Sequence, residues 1–397
     1  MKAIIERKLV MRVFPFSAVV AGFVTVLVGF TSSAVIVFQA AQALGASPAE
    51  VASWMWALGL AMGLSCIGLS LRYKVPIVTA WSTPGAAMLV TSVAGVPMAE
   101  AVGAFMVSAL LIALAGFSGV FERAMARVPL GMASAMLAGV LLRFGMGAFG
   151  ALQTQFVMVG AMLAMYLLLR RLLPRYAIVG VLATGIVVAA LQGQLHLSGV
   201  HFALATPVFT VPALSWHALI GVALPLFVVT MASQNIPGVA VLRASCYHPP
   251  ISPVIGTTGV INLLLAPFGA FALNLAAITA AICMGPEAHE DAKKRYLAAV
   301  SAGVFYLLVG IFGATVGALF AAFPKELVLA VAGFALINTI GGGLLAAVRD
   351  EHQREPALIT FLVTASGLTL FGIGAAFWGL LAGGLATVVL QYRRQAA

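Results

Sequence analysis

The sequence is poor in charge, and acidic residues are its scarcest charged type. Its 397 residues include 11 Asp and Glu, and charged residues make up 8% of the chain. Soluble globular domains have roughly 25% charged residues, which cover the water-facing surface. The composition therefore excludes a soluble protein and a sizeable soluble domain. Because the apolar character continues from Phe14 to Leu390, a signal peptide followed by a secreted domain is excluded as well.

Cysteine is scarce too. Cys66, Cys246 and Cys283 stand far apart, without the paired spacing that indicates a disulfide, a zinc site or a cluster. No metal pair or nucleophile elbow stands out, and the glycine run at 341–343 lacks the Lys-Ser/Thr of a phosphate loop. We therefore expect no metal, no cofactor and no enzymatic activity.

Hydrophobic residues dominate what remains, at 62% of the chain with a mean hydropathy of +1.11. A helix needs about 20 apolar residues to cross the hydrocarbon of a bilayer. Cutting the chain at charges, Pro/Gly clusters and polar patches gives fourteen segments, which predicts an all-α integral membrane protein. The segments are 14–41, 51–70, 76–94, 99–121, 128–148, 152–170, 176–192, 213–238, 251–267, 271–285, 296–321, 326–347, 356–373 and 375–391.

The basic residues support this count and set the orientation. If the N-terminus is cytoplasmic, 19 of the 21 Lys and Arg residues lie on the cytoplasmic side, with Arg143 and Lys325 as the exceptions. One span more or fewer inverts every later loop and destroys this asymmetry, so the positive-inside rule predicts fourteen spans and cytoplasmic termini. The formal net charge of +10 is then explained without a nucleic-acid partner.

An uncharged, external connection over 193–212 divides the chain into two halves, 1–192 and 213–397, of seven spans each. An odd number of spans per half means that, if the halves share a fold, the second is inverted relative to the first. The sequence thus predicts a 7+7 inverted repeat.

The third span contains a helix start in its interior. A β-rich run ends near Ser82, Thr83 is a candidate N-cap, and Pro84 suits the first helical position. The amides of Gly85 and Ala86 are then expected to be unpaired. The helix after them is too short to cross a bilayer, so its N-terminus is expected near the midplane.

The tenth span repeats this pattern, with an extended run, a helix start near Thr279 and a stop at Gly285-Pro286. In an inverted repeat the two half-helices run in opposite directions, and their N-termini meet. Each positive dipole end is worth up to roughly 2 kcal/mol toward an anion, so no buried Lys or Arg is needed to hold one. The alternative is that Pro and Gly only kink these helices for packing, and it is stronger for the tenth span.

Polar residues interrupt the first and eighth spans, which the repeat relates to each other. The clusters are Thr31, Ser32, Ser33, Gln39 and Gln42 in the first span and Thr230, Ser233, Gln234 and Asn235 in the eighth. Polar groups in hydrocarbon need partners, so these side chains either contact a substrate or form interhelical hydrogen bonds. For Ser32 and Ser33, bonding back to their own helix is an equally good interpretation.

All eleven acidic residues lie at segment ends or in loops, and the sequence predicts no buried carboxylate for a proton relay. The nearest titratable groups to the tenth span are Glu287 and His289, just after the half-helix. They are the candidates for proton coupling, and a solvated loop end is the alternative.

Four stretches, in this order along the chain, resemble the BenE family of bacterial benzoate/proton symporters. They are TAWSTPGAA at 79–87, LPLFVVTMASQN at 224–235, AITAAIC at 277–283 and FLVTASGLT at 361–369. The resemblance implies proton-driven uptake of benzoate or a related aromatic carboxylate across the inner membrane. It also implies the fold of nucleobase permeases and sulfate-type anion transporters. In that fold a core domain (spans 1–4 and 8–11) faces a gate domain (spans 5–7 and 12–14), and a homodimer in lipid is possible.

Carried over residue by residue, the resemblance assigns the substrate site to three spans. The residues are Ser82, Thr83, Gly85 and Ala86 in the third, Ser233, Gln234 and Asn235 in the eighth, and Ile278 and Thr279 in the tenth. Nucleobase permeases carry an acidic ligand in the eighth span, and its absence here suits a carboxylate. Transport or exchange of another anion remains the alternative, whereas a channel is disfavoured because a continuous polar lining is missing.

Overall fold

The computed structural model describes residues 15–93, 96–126, 128–173, 176–195, 204–313, 315, 323–368, 370 and 375–392. Its helices are α1 (Phe16–Ala43), α2 (Pro48–Tyr73), α3 (Thr83–Ser92), α4 (Met98–Phe117), α5 (Val120–Ala126), α6 (Leu130–Gly150), α7 (Phe156–Leu172), α8 (Ala177–Leu191), α9 (Trp216–Ala244), α10 (Ile251–Leu265), α11 (Ile278–Met284), α12 (Tyr296–Ile311), α13 (Lys325–Val348), α14 (Arg354–Ser366) and α15 (Ala375–Tyr392). Two strands, β1 (Thr79–Trp81) and β2 (Leu273–Leu275), precede α3 and α11.

Each of the fourteen predicted segments contains a helix in the structure. Within the described residues, seven helical stretches are long and apolar enough to cross a membrane by themselves: 48–73, 98–117, 130–153, 216–244, 251–268, 292–311 and 325–348. The protein is therefore a mostly helical membrane protein. The count of fourteen spans, the inverted repeat and the orientation of the termini stay predictions.

The two strands form an antiparallel ladder in which Trp81 lies opposite Leu273 and Thr79 lies opposite Leu275. One further backbone hydrogen bond extends the ladder at each end, from Ser82 N to the Ala272 carbonyl (3.1 Å) and from Ala276 N to the Val78 carbonyl (2.9 Å). Non-helical backbone inside a membrane must be satisfied within the protein, and each strand does this for the other. Because the strands are antiparallel, α3 and α11 leave the ladder from opposite ends.

Both half-helices are far too short to cross a membrane. With 10 and 7 residues, α3 and α11 are about 15 and 10 Å long, against about 30 Å of hydrocarbon.

The longer helices around the two half-helices pack closely. A Cβ atom on Gly59 of α2 would lie 2.5 Å from Cα of Gly310 in α12, so these two helices touch through glycines.

Helix α9 is continuous but contains two π-helical turns, Leu219–Ala223 and Met231–Asn235. Each turn ends two residues before a proline, Pro225 or Pro237. A proline inside a helix removes one hydrogen bond and crowds the carbonyl four residues earlier, and a wider turn accommodates it. The second π turn contains the predicted polar cluster of the eighth span.

Candidate functional site

A cavity of about 350 Å³ lies where the starts of α3 and α11 approach α1, α2, α6, α9 and α12. Its volume is at the small end of the roughly 300–1,000 Å³ typical of small-molecule sites. None of the described residues that line it is charged. They are Val28, Gly29, Ser33, Met62, Ala80, Trp81, Thr83, Pro84, Phe144, Gln234, Ala276, Ala277, Ile278, Thr279 and Tyr306.

The cap of α3 differs from the sequence expectation by one residue. Ser82, not Thr83, is the N-cap, because its backbone is still extended and its Oγ accepts the Gly85 N–H at 3.0 Å. The Ala86 N–H donates to the Ser82 carbonyl at 2.8 Å. The Gly85 and Ala86 amides are therefore engaged within the protein, and the expectation that they are unpaired was wrong. Among the residues expected here, Thr83 lines the cavity, whereas Ser82, Gly85 and Ala86 are buried beside it.

The start of α11 contributes Ile278 and Thr279 to the cavity, and both are among the residues that the family resemblance assigns to the substrate site. In the part of the chain that the structure describes, the amides of Ile278 and Thr279 donate no hydrogen bond, and neither does that of Thr83. The carbonyl of Thr279 accepts a hydrogen bond from Thr25 Oγ1 of α1 at 3.3 Å. The cavity thus collects amide and hydroxyl donors from both half-helices.

The polar cluster of α9 divides into two roles. Gln234 lines the cavity. Asn235 is fully buried, and its Oδ1 accepts the Leu275 N–H of β2 at 3.0 Å. Ser233 is half-buried and lies outside the cavity lining. Asn235 therefore makes a structural hydrogen bond, which joins α9 to the second strand and not to another helix.

In α1, Ser33 lines the cavity and makes two hydrogen bonds. Its hydroxyl donates to the Gly29 carbonyl at 3.0 Å and accepts the Nε1–H of Trp81 at 2.9 Å. Ser33 therefore bonds back to its own helix and also lines the cavity, so the two interpretations of this residue do not exclude each other. Gln39 is exposed and does not line the cavity, and the side chain of Ser32 lies outside the described part of the structure.

Aromatic side chains of the cavity were not identified as site residues from the sequence. Trp81, Phe144 and Tyr306 reach it from β1, α6 and α12. Trp81 lies next to Ser82 in the stretch at 79–87 that resembles the BenE family, so the sequence did contain a signal for this residue. No local signal separates Tyr306 from Tyr166, another tyrosine in an apolar segment, or Phe144 from the other 23 phenylalanines.

The sequence predicts no buried carboxylate for a proton relay, but the structure buries one carboxylate next to the tenth span. The Glu287 side chain is 7% exposed, and its Oε1 lies 3.1 Å from Nη1 of Arg170 in α7. Asn338 of α13 donates to the same oxygen and accepts a hydrogen bond from Arg170 Nη2 at 3.1 Å. Oε2 is buried without a hydrogen bond in the described structure. Burial results from the loop after α11 folding back onto α7 and α13, which the local sequence does not encode.

His289 is also buried, at 8% exposure, and its Nδ1 accepts the Asp291 N–H at 2.9 Å. Neither candidate for proton coupling is therefore a solvated loop end, and neither lines the cavity.

A cavity whose described lining is uncharged, at the starts of two short helices in a chain of apolar helices, indicates a membrane transporter. The comparison with known families agrees and is more specific. Residues 12–389 match the BenE family, described as benzoate membrane transport protein, and the chain belongs to this family. It is a family of transporters, so the protein is not an enzyme.

Two relatives match over nearly their whole length. Inner membrane protein YdcO of Escherichia coli (strain K12) is 50% identical over 96% of this chain and 98% of its own. The benzoate membrane transport protein of Acinetobacter baylyi (strain ATCC 33305 / BD413 / ADP1) is 41% identical over 94% of this chain and 95% of its own.

Among solved structures, similarity extends to the transmembrane domain of a cyanobacterium bicarbonate transporter, BicA. It has a TM-score of 0.45 and 13% identity, over 93% of this chain and 97% of that chain. The structure of SLC26A9 has a TM-score of 0.48 and 12% identity, over 96% of this chain and 66% of that chain.

Proposed function

We propose that this transporter takes up benzoate or a related aromatic carboxylate together with protons across the inner membrane, with both termini in the cytoplasm. The observation that carries the proposal is the cavity, which combines aromatic walls with uncharged hydrogen-bond donors. The names of the two relatives support the substrate class and the membrane. The homodimer implied by the family resemblance stays a prediction.

The lining suits a compact ring that carries one negative charge. Thr83, Thr279, Gln234 and Tyr306 supply hydroxyl and amide donors. The amides at the starts of both half-helices add partial positive charge. Apolar and aromatic side chains supply the remaining surface, which favours an aromatic acid over a small hydrophilic anion.

Proton coupling has an electrostatic reason. An anion that enters a cell against an inside-negative potential is opposed by roughly 2.3 kcal/mol per 100 mV. No described residue of the cavity carries a compensating positive charge. One proton carried with each monovalent acid makes the step electrically neutral.

Glu287 is the proton site that we propose, with His289 two residues away. Its Oε2 has no hydrogen bond in the described structure, so a proton added there breaks none. Within the described structure, Arg170 forms an ion pair with this carboxyl and Tyr166 interacts with its charge, and both residues lie on α7. Protonation weakens the attraction to Arg170 and so loosens the contact between the loop after α11 and the helices α7 and α13.

Uptake into proteoliposomes tests the proposal. With an inward proton gradient, the wild type is expected to accumulate labelled benzoate saturably and to lose this accumulation when a protonophore is added. Glu287→Gln is expected to bind benzoate but to lose gradient-driven accumulation. Glu290→Gln, a change at an exposed neighbouring carboxylate, is the matched control.

Three results would contradict parts of this proposal. A wild type that neither binds nor accumulates aromatic acids removes the substrate assignment. Accumulation that requires an internal anion instead of a proton gradient favours exchange, which is the alternative. Normal coupling in Glu287→Gln moves the proton site elsewhere.

A further inference from the structure

Trp81 is held in the wall of the cavity by two contacts from α1. Its Nε1–H donates to Ser33 Oγ at 2.9 Å, and its ring lies edge-on to Phe30 with centroids 5.6 Å apart. Trp81 as a whole residue is 4% exposed, so its indole N–H needs a partner within the protein. The two contacts together fix the plane of the ring.

Ser33 suits this contact because a hydroxyl donates one hydrogen bond and accepts others. Its O–H donates to the Gly29 carbonyl at 3.0 Å, which leaves its lone pairs to the indole. The hydrogen bond to the helix backbone therefore orients the Ser33 hydroxyl, and the hydroxyl in turn orients the indole of Trp81. Alanine at this position would leave a buried N–H unpaired, and the ring would turn toward another acceptor.

We propose that Ser33 is a positioning residue, which orients Trp81 so that the cavity distinguishes an aromatic ring from a saturated ring of the same size. The inference rests on the proposed function, because it takes an aromatic carboxylate as the substrate. Aromatic rings in offset or edge-on contact gain roughly two- to tenfold in affinity beyond the apolar area they bury. A turned indole loses this gain, while the apolar area that binds a saturated ring remains.

The test compares the affinities of the purified full chain for benzoate and for cyclohexanecarboxylate by calorimetry. The wild type is expected to prefer benzoate by roughly two- to tenfold. Ser33→Ala should bring this ratio close to one, whereas Ser33→Thr, which keeps the hydroxyl, should retain it. Ser301→Ala is the matched control, since Ser301 is buried and back-bonded to Leu297 at 2.9 Å but has no indole partner.

A double-mutant cycle separates positioning from direct contact. Trp81→Phe keeps an aromatic ring but has no N–H, so adding Ser33→Ala to it should leave the ratio unchanged. If Ser33→Ala fails to fold, Ser33→Cys replaces it with the same expected loss, because a thiol is a weak acceptor.

Each contrary outcome has its own meaning. A wild-type ratio in Ser33→Ala overturns the inference, and so does an equal loss in the Trp81→Phe background. A wild type that binds both acids equally overturns ring recognition but leaves the transporter proposal standing. A wild type that binds neither acid overturns both.

Discussion

Gln234→Ala and Asn235→Ala are two neighbouring changes in the second π turn of α9, and we expect the first to weaken substrate binding and the second to lower stability. Gln234 lines the cavity and makes no hydrogen bond in the described structure. Asn235 is fully buried and accepts the Leu275 N–H at 3.0 Å. The two positions share the same helix and the same depth, so each is a control for the other.

The expected magnitudes follow from these contacts. Asn235→Ala leaves a buried backbone N–H without an acceptor, which costs about 1–3 kcal/mol. Gln234→Ala removes no internal hydrogen bond, so its effect on stability should stay within about 0.5 kcal/mol. Benzoate bound to Gln234 would lose one hydrogen bond, worth roughly two- to tenfold in affinity.

Thermal unfolding in detergent and benzoate affinity, measured on both variants and the wild type, separate the two roles. We expect a lowered Tm for Asn235→Ala and a nearly unchanged Tm with weakened binding for Gln234→Ala. Wild-type Tm with weakened binding in Asn235→Ala would mean that Asn235 contacts the substrate directly. A large loss of Tm in Gln234→Ala would refute its placement at the cavity surface.

Two further changes test stability, one at the N-cap of α3 and one at a carboxylate outside the spans. Ser82→Ala removes the N-cap of α3 and should cost about 1 kcal/mol in unfolding measurements, whereas Ser82→Asn should retain most of the stability. Outside the spans, burial acts to raise the pKa of Glu122, but hydrogen bonds from Ser252 and Ile251 and the charge of Arg243 outweigh it, so the pKa is lowered. A lowered pKa stabilises the fold above the unfolded-state value, and this contribution is lost as pH falls through the folded-state value. In Tm measurements across pH, Glu122→Gln should therefore lose stability at neutral pH and show a shallower acid decline.

Local sequence predicts the helices and even the interruptions, because both are encoded within one segment. The apolar runs mark the helices. A β-rich run before Pro84 and a stop at Gly285-Pro286 mark the two places where a strand precedes a short helix. The cap of α3 was misassigned by one residue because Ser82 and Thr83 are both good N-caps, and only the backbone geometry decides between them.

What the sequence does not predict depends on contacts between distant segments. The burial of Glu287 requires Arg170 and Asn338, more than 50 residues away along the chain in each case. Tyr306 reaches the cavity because α12 packs on α2 through Gly59 and Gly310. The sequence pattern of α12 alone does not predict which of its faces contacts the starts of α3 and α11.

The register of the two-stranded ladder connects these distant contacts to the site. Side chains alternate between the two faces of a strand, so a slip by one residue would exchange Trp81 with Ala80 and turn the indole away from Ser33. A three-residue ladder has few hydrogen bonds of its own to resist such a slip. Asn235 of α9 accepts a further hydrogen bond from the Leu275 N–H and so fixes β2 from the side. The buried amide of α9 therefore serves the cavity without lining it, because it keeps the opposite strand in the register that presents Trp81.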